Sequence, residues 1–257
     1  MRSILFYYSN TGNTQLTVDS IQKSLPSTDL WEWKGGGFPE LNNYELIGFA
    51  FPTYNLSLPP QVRTRLQALP PLGGKPIFLL QTYGVMPGKA VKEAWDLLKN
   101  KGAELVAYHR LSMPESYPPF RKKGITNQNH PTNEEREEFN HFIEELSSWC
   151  GPKNGKPLKI KLGFWDWIIP APKEGKIRKD FGKFHVESQS CSTCGVCADN
   201  CPEGAVLLDR SPQFQMDRCA FCYRCFNHCP QKAISTSAVS AEYAYPEPGK
   251  DLKEMFL

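Results

Sequence analysis

The chain has 257 residues, a formal charge of +3, 40% hydrophobic and 22% charged residues; this fits one large or two ordinary globular domains and excludes a disordered or fibrous chain. Eight of its nine cysteines lie between Cys191 and Cys229, so a disulfide framework spread over the whole chain is excluded in favour of a local metal site. The charge is uneven: residues 1–150 are balanced, residues 151–190 carry a net +5, and residues 191–257 carry a net −2.

Residues 2–8 are nearly all apolar and predict a strand buried on both faces of a parallel sheet. Thr11-Gly12-Asn13-Thr14 breaks the run, and Leu16, Val18, Ile21 and Leu25 follow at helical spacing up to Pro26. Further strands are expected at 28–33, 44–51, 77–80 and 104–111, with helices from Pro59 to Leu69 and from Lys89 to Asn100. Residues 112–131 read as an irregular, proline-rich insertion, with Met113, Pro114 and Tyr117 as candidate pocket walls. An acidic helix runs from Thr132 toward Cys150, with Phe139, Phe142, Ile143 and Leu146 on its apolar face and Cys150 as a buried helix residue. Five strands alternating with helices predict an α/β, doubly wound, five-stranded parallel sheet over residues 1–150.

Residues 151–185 read as a linker, solvated and basic. The aromatic run at 162–169 is expected to pack between domains, with a membrane surface as its alternative. Residues 186–257 form a second, small α+β domain with a C-terminal tail that lacks clear periodicity. No apolar run approaches the roughly 20 residues that span a bilayer. The N-terminus lacks the pattern of a signal peptide, and a reducing cytoplasm is expected.

The turn after the first strand, Ser9-Asn10-Thr11-Gly12-Asn13-Thr14, leads into a helix. A helix N-terminus offers unpaired N–H groups and about half a positive charge, which suits an anion. Gly12 permits close backbone approach, and Ser9, Thr11 and Thr14 add hydroxyls. An ordinary Ser/Thr cap is the alternative. Neither GxxxxGK[ST] nor GxGxxG is present, which turns the reading away from nucleotide triphosphates and nicotinamide. The six residues match the [ST]-x-T-G-x-T phosphate loop of flavodoxins, which the first 150 residues resemble in strand order and loop placement. That resemblance implies FMN, with its phosphate on this loop. It also implies two flanking loops: Pro52, Thr53, Tyr54, Asn55 and Leu56 after the third strand, and Thr82, Tyr83, Gly84 and Gly88 after the fourth. Tyr54 and Tyr83 are the aromatic candidates for the isoalloxazine, with plain loop packing as their alternative. Neither loop carries an acidic residue, unlike flavodoxins with an acidic rim.

The cysteine patch is a duplication: Cys191-x2-Cys194-x2-Cys197-x3-Cys201-Pro202, then Cys219-x2-Cys222-x2-Cys225-x3-Cys229-Pro230. Three cysteines at three-residue intervals can wrap one cubane, whereas zinc sites are usually built from paired C-x2-4-C elements. The runs resemble bacterial ferredoxins with two [4Fe-4S] clusters. Carried over, that resemblance implies one cluster on Cys191, Cys194, Cys197 and Cys229, and a second on Cys219, Cys222, Cys225 and Cys201. Val196, Val206, Phe221, Phe226 and Ile234 would keep water from them. His130, His141, His185 and His228 show no metal-ligand spacing.

The whole chain therefore resembles a flavodoxin–ferredoxin fusion. The resemblance implies an iron–sulfur flavoprotein that transfers electrons between one-electron carriers and FMN, with another redox protein as donor or acceptor. The alternatives are an FMN-dependent reductase of a quinone or other small substrate, and a redox maturation partner of one client protein. Two clusters, anionic once their thiolates are counted, turn the small positive balance negative, so nucleic acid is not an expected partner.

Overall fold

The computed structural model describes residues 1–33, 37–149, 160–161, 163, 170–245 and 247–256. Cys150 and all but Gly163 of the aromatic run at 162–169 lie outside the described residues.

Five parallel strands, β1 (Ser3–Tyr7), β2 (Thr28–Glu32), β3 (Leu46–Pro52), β4 (Pro76–Tyr83) and β5 (Glu104–Ser112), pair in the order β2-β1-β3-β4-β5. This is the flavodoxin-like doubly wound order, and the direction in which strands are added reverses between β1 and β3, the kind of switch point where ligands bind beyond the carboxyl ends of the strands. Every residue of β1 is buried because successive side chains feed opposite faces. Ile4 and Phe6 pack with Val62, Leu66, Val91 and Leu98 of α2 (Pro60–Ala68) and α3 (Ala90–Asn100). Leu5 and Tyr7 pack with Val18, Ile21, Phe139 and Phe142 of α1 (Asn13–Ser24) and α5 (Asn133–Ser147). A capping box starts α5: Thr132 Oγ1 accepts from Glu135 N, and Glu135 accepts from Thr132 N. Such a cap contributes about 1 kcal/mol.

Two elements extend beyond the expectation. Strand β4 runs past the apolar stretch through Gln81 and Thr82, both buried despite their polarity. Their side chains are satisfied by the loops they hold: Gln81 Nε2 donates to Thr53 Oγ1 and Pro87 O, and Gln81 Oε1 accepts from Val91 N. The 112–131 insertion contains a short helix, α4 (Pro118–Lys122), started by two prolines that have no N–H to leave unpaired.

Within the stretch expected as linker, α6 (Glu174–Phe181) is helical, and Phe181 packs on Tyr223 with ring centroids 4.4 Å apart. Next come β6 (Phe184–Val186), α7 (Val196–Asp199), β7 (Val206–Leu208), β8 (Pro212–Phe214), α8 (Arg224–Asn227), β9 (Ile234–Thr236) and α9 (Lys250–Met255). Strand β6 pairs antiparallel with β9, and β7 with β8. The tail thus has structure that its sequence does not signal, because short elements are held by contacts rather than by periodicity. Leu252 and Phe256 enter the core beside Val18, Ile21 and Phe139.

His109 on β5 lies against Phe139 and Phe142, at 5.7 and 5.4 Å between centroids. Its Nε2 is buried without a partner. Burial, with a smaller push from Arg110, lowers its pKa from 6.5 to about 4. As pH falls below about 6.5 the unfolded chain takes a proton that the folded chain refuses until about pH 4. Stability is therefore lost across that window, by about 3 kcal/mol at full extent. His109→Leu is expected to show a smaller fall in melting temperature between pH 7 and pH 5 than the wild type. Equal falls would place the acid sensitivity elsewhere.

Candidate flavin and iron–sulfur site

The phosphate turn leaves β1 and enters α1 through Gly12, which adopts φ +95°. Ser9 Oγ accepts from the backbone amides of Gly12 and Gln15, both at 3.2 Å. Thr14 Oγ1 bonds Thr82 Oγ1 at 2.7 Å, tying the turn to the end of β4. Among the described residues, the amides of Thr11, Asn13 and Thr14 have no protein acceptor. Asn10 Oδ1 is buried without a partner. Free amides at a helix start suit a phosphate, and the orphaned carbonyl of Asn10 suits a hydroxyl or N–H of a ligand. The residues present therefore fit FMN.

Ser9, Asn10, Thr11, Asn13, Thr14, Pro52, Thr53, Tyr54, Thr82, Tyr83 and Gly84 surround one open cavity. Asn10, Thr53, Tyr54 and Gly84 also line a larger cavity, together with Asn55 and Leu56. Gly12 and Gly88 line neither cavity; they pack against Pro248 and Leu56 respectively. Asn55 (φ 46°) and Leu56 (φ 63°) make a tight left-handed turn, closed by Tyr54 and Ser57 bonding each other in both directions. Strained non-glycine residues of this kind cluster at binding sites. The turn rests on Gly88, where a Cβ would stand 2.3 Å from Leu56 O. Tyr54 packs edge-on to Tyr8, and burial holds its phenol well above the ordinary range. Tyr83 lines the smaller cavity and not the larger.

The acidic residue missing from both loops comes from the insertion. Glu115 lines both cavities and is buried. Its carboxylate accepts from Tyr117 N at 2.8 Å and Val85 N at 3.3 Å. Burial raises its pKa, and those amides oppose the shift. Tyr117 and Phe120 of the insertion wall the larger cavity, while Met113 and Pro114 line the smaller.

The two cysteine runs fold alike at the backbone. Thr193 and Phe221 (φ 55° and 54°), Gly195 and Tyr223 (81° and 58°), and Gly204 and Lys232 (55° and 50°) are left-handed at equivalent positions. Ala205 N donates to Cys201 Sγ and Ala233 N to Cys229 Sγ, each at 3.2 Å. Left-handed turns direct successive amides inward, a geometry suited to an anionic centre. Cys191, Cys194, Cys197 and Cys229 surround one cavity. Cys201, Cys219, Cys222 and Cys225 surround another. Each cavity draws three cysteines from one run and one from the other. Burial pushes the Cys222 thiol up to about 12 and Cys225 well above the ordinary range; an iron core offsets that cost because coordination to a cation deprotonates a thiol. Among the described residues, no three His, Cys, Asp or Glu side chains converge on a single-ion site. Four sulfurs standing around a cavity fit a cubane.

The two sites meet. Cys222 lines the larger flavin-loop cavity as well as its own cluster cavity. Asn10 Nδ2 donates to Cys222 O at 2.8 Å. Arg224 Nη1 donates to Ser9 O at 2.9 Å, and His228 Nε2 bonds Asn10 O at 2.7 Å. Because a carbonyl only accepts, His228 carries its proton on Nε2. Glu115, Arg224 and His228 are invisible as site residues in the sequence, since only the fold brings them to the turn.

The 4Fe-4S dicluster domain family matches residues 190–233. Comparison with curated proteins gives no match. Similar solved structures include a flavodoxin of Streptococcus pneumoniae TIGR4, with 20% identity, TM-score 0.44, and coverage of 58% of this chain and 99% of that one. Oxidised flavodoxin 2 of Bacillus cereus shows 21% identity and TM-score 0.46, with 57% and 98% coverage. The two-electron reduced flavodoxin of Megasphaera elsdenii shows 19% and 0.40, with 45% and 90% coverage. Strand order and the matched cysteine region together establish that the chain joins a flavodoxin-like α/β domain to a 4Fe-4S dicluster domain.

Proposed function

We propose that the chain is an electron relay between a redox partner protein and FMN. The observation that carries this reading is the shared wall: Cys222 borders both its cluster cavity and the cavity of the flavin loops. A cubane moves one electron at a time and a flavin accepts one or two, so together they connect single-electron and paired-electron chemistry. The turn at Ser9–Thr14 holds the phosphate, the loops at Tyr54 and Gly84 flank the ring, and Glu115 supplies the acidic edge. Cys201, Cys219, Cys222 and Cys225 hold the cluster nearest the flavin. Cys191, Cys194, Cys197 and Cys229 hold the outer one. Cys194 is exposed, as are Leu207 and Leu208 on the neighbouring hairpin, and this is the side a redox partner meets. Eight cysteines engaged in no disulfide fit a reducing compartment such as the cytoplasm. Among the described residues, no helix is long and apolar enough to cross a membrane.

A second reading, reduction of a quinone or similar small substrate, is favoured by the walls that Tyr117, Phe120 and Met86 give the larger cavity. One experiment separates the two. Full-length protein supplied with FMN and reduced anaerobically through a viologen dye is expected to hold one FMN and about eight irons, and its flavin band bleaches with the clusters. Reoxidation by an added redox protein but not by quinones supports the relay; rapid reoxidation by quinones supports the reductase. Absence of bound FMN, or a flavin that stays oxidised beside reduced clusters, overturns both.

A further inference from the structure

The C-terminal tail crosses the phosphate turn. Tyr245 is buried, and its hydroxyl donates to Asn13 Oδ1 at 2.8 Å. Asn13 is the first residue of α1, so its amide is one of those left open for an anion. Its Nδ2 donates to Pro114 O at 2.9 Å, which holds the amide side chain between the insertion and the tail. Tyr245 is itself fixed at its amide and at its ring. Its amide donates to Asn227 Oδ1 at 3.0 Å, and Asn227 Nδ2 reaches Ser116 O at 3.3 Å. The Arg121 guanidinium lies 5.2 Å from its ring centroid, and Arg121 Nε donates to Tyr243 O. Further on, Pro248 packs so closely on Gly12 that a Cβ there would stand 2.7 Å from Pro248 Cδ. Phe256 then anchors the end, stacking edge-on to Phe139 and accepting at its carbonyl from Ser20 Oγ of α1.

The Tyr245 and Pro248 contacts fall on the first turn of α1 and on Gly12. Apart from the Asn13–Pro114 bond, every contact brings in a residue from beyond position 220. We infer that Tyr245 is a positioning residue for the FMN phosphate: the tail straps the phosphate turn and sets its anion-binding geometry. Asn13's side chain is thereby spent on holding the turn, and its backbone amide faces the ligand. The donor is stable, since burial pushes the Tyr245 phenol up to about 12 and keeps it protonated across neutral pH. The inference rests on the FMN reading above.

Riboflavin shares the ring and ribityl chain of FMN but lacks the phosphate, so the ratio of the two affinities isolates the phosphate turn. Tyr245→Phe is tested as the full-length protein with both clusters loaded, stripped of flavin and titrated with FMN or riboflavin. FMN is expected to bind about tenfold more weakly, equivalent to about 1.4 kcal/mol. Riboflavin affinity and iron content stay as in the wild type. The 31P resonance of bound FMN is expected to shift. An unchanged FMN affinity with an unchanged 31P resonance overturns the strap, and so does an equal loss for both flavins, the mark of a general packing defect. Should Tyr245→Phe fail to fold, Pro248→Ala carries the same expectations, because it loosens the strap at Gly12 without touching Asn13. Wild-type protein that binds FMN no better than riboflavin overturns the phosphate reading itself, a result distinct from a silent Tyr245→Phe.

Discussion

Replacing Cys222 by alanine is expected to halve the iron content, from about eight to about four atoms per chain, and to cut the flavin off from the remaining cluster. Cys222 stands in the wall between the cluster cavity and the flavin-loop cavity. Its backbone carbonyl is held by Asn10 of the phosphate turn. Loss of this ligand therefore removes the cluster that faces the flavin and leaves the set of Cys191, Cys194, Cys197 and Cys229 intact. Cys194→Ala makes the opposite cut on the exposed side. It too is expected to lose about four irons, yet its flavin should still exchange electrons with the cluster that remains. Iron and sulfide analysis with EPR of the reduced variants checks both. Eight irons in Cys222→Ala, or the same flavin behaviour in both variants, refutes the assignment of inner and outer clusters.

The second large effect is expected at Gly12. Gly12→Val places a β-branched side chain at φ +95° and drives its Cβ into Pro248. Left-handed backbone costs a residue with a Cβ about 1–2 kcal/mol, and overpacking commonly adds about 1–3 kcal/mol. The turn can relieve this only by moving Ser9, whose Oγ caps Gly12 and Gln15, or by expelling the tail. Either movement disperses the amides of Thr11, Asn13 and Thr14. FMN affinity is expected to fall about a hundredfold or more, which corresponds to about 3 kcal/mol, while iron content is retained. Titration with FMN checks it; an affinity within threefold of the wild type contradicts the phosphate assignment. Thr11→Ala with Thr14→Ala is a milder version, because it removes hydroxyls but keeps the backbone amides.

The sheet was legible because its signals are local. An apolar run such as Ile4–Tyr7 has few uses other than a strand buried on both faces, and breaks such as Thr11–Thr14 mark where it ends. Strand β4 shows the limit: Gln81 and Thr82 are polar, so pattern alone stops at Leu80, whereas the strand continues because Thr53, Pro87 and Thr14 satisfy those side chains. The same holds for α6 and for the tail, where Ile177 with Phe181 and Leu252 with Phe256 give a single helical repeat each, too short a run to establish a period.

The nine cysteines and the slight positive charge divided in the same way. Their spacing alone marked two triplets and two Cys-Pro ends as a duplicated cluster-binding run, because wrapping a cubane needs closely spaced thiolates on short loops. Likewise, the phosphate expectation at Ser9 to Thr14 rests on six consecutive residues. Only the tertiary structure decided which cluster cavity opens toward the flavin loops, that Glu115 supplies the acidic edge those loops lack, and that Arg224, His228 and Tyr245 from beyond residue 220 grip the phosphate turn. The reason is physical. A ligand-binding loop is written in neighbouring residues because one stretch of backbone must fold around the ligand, whereas a domain junction pairs side chains some 200 positions apart. No spacing along the chain records which of them meet.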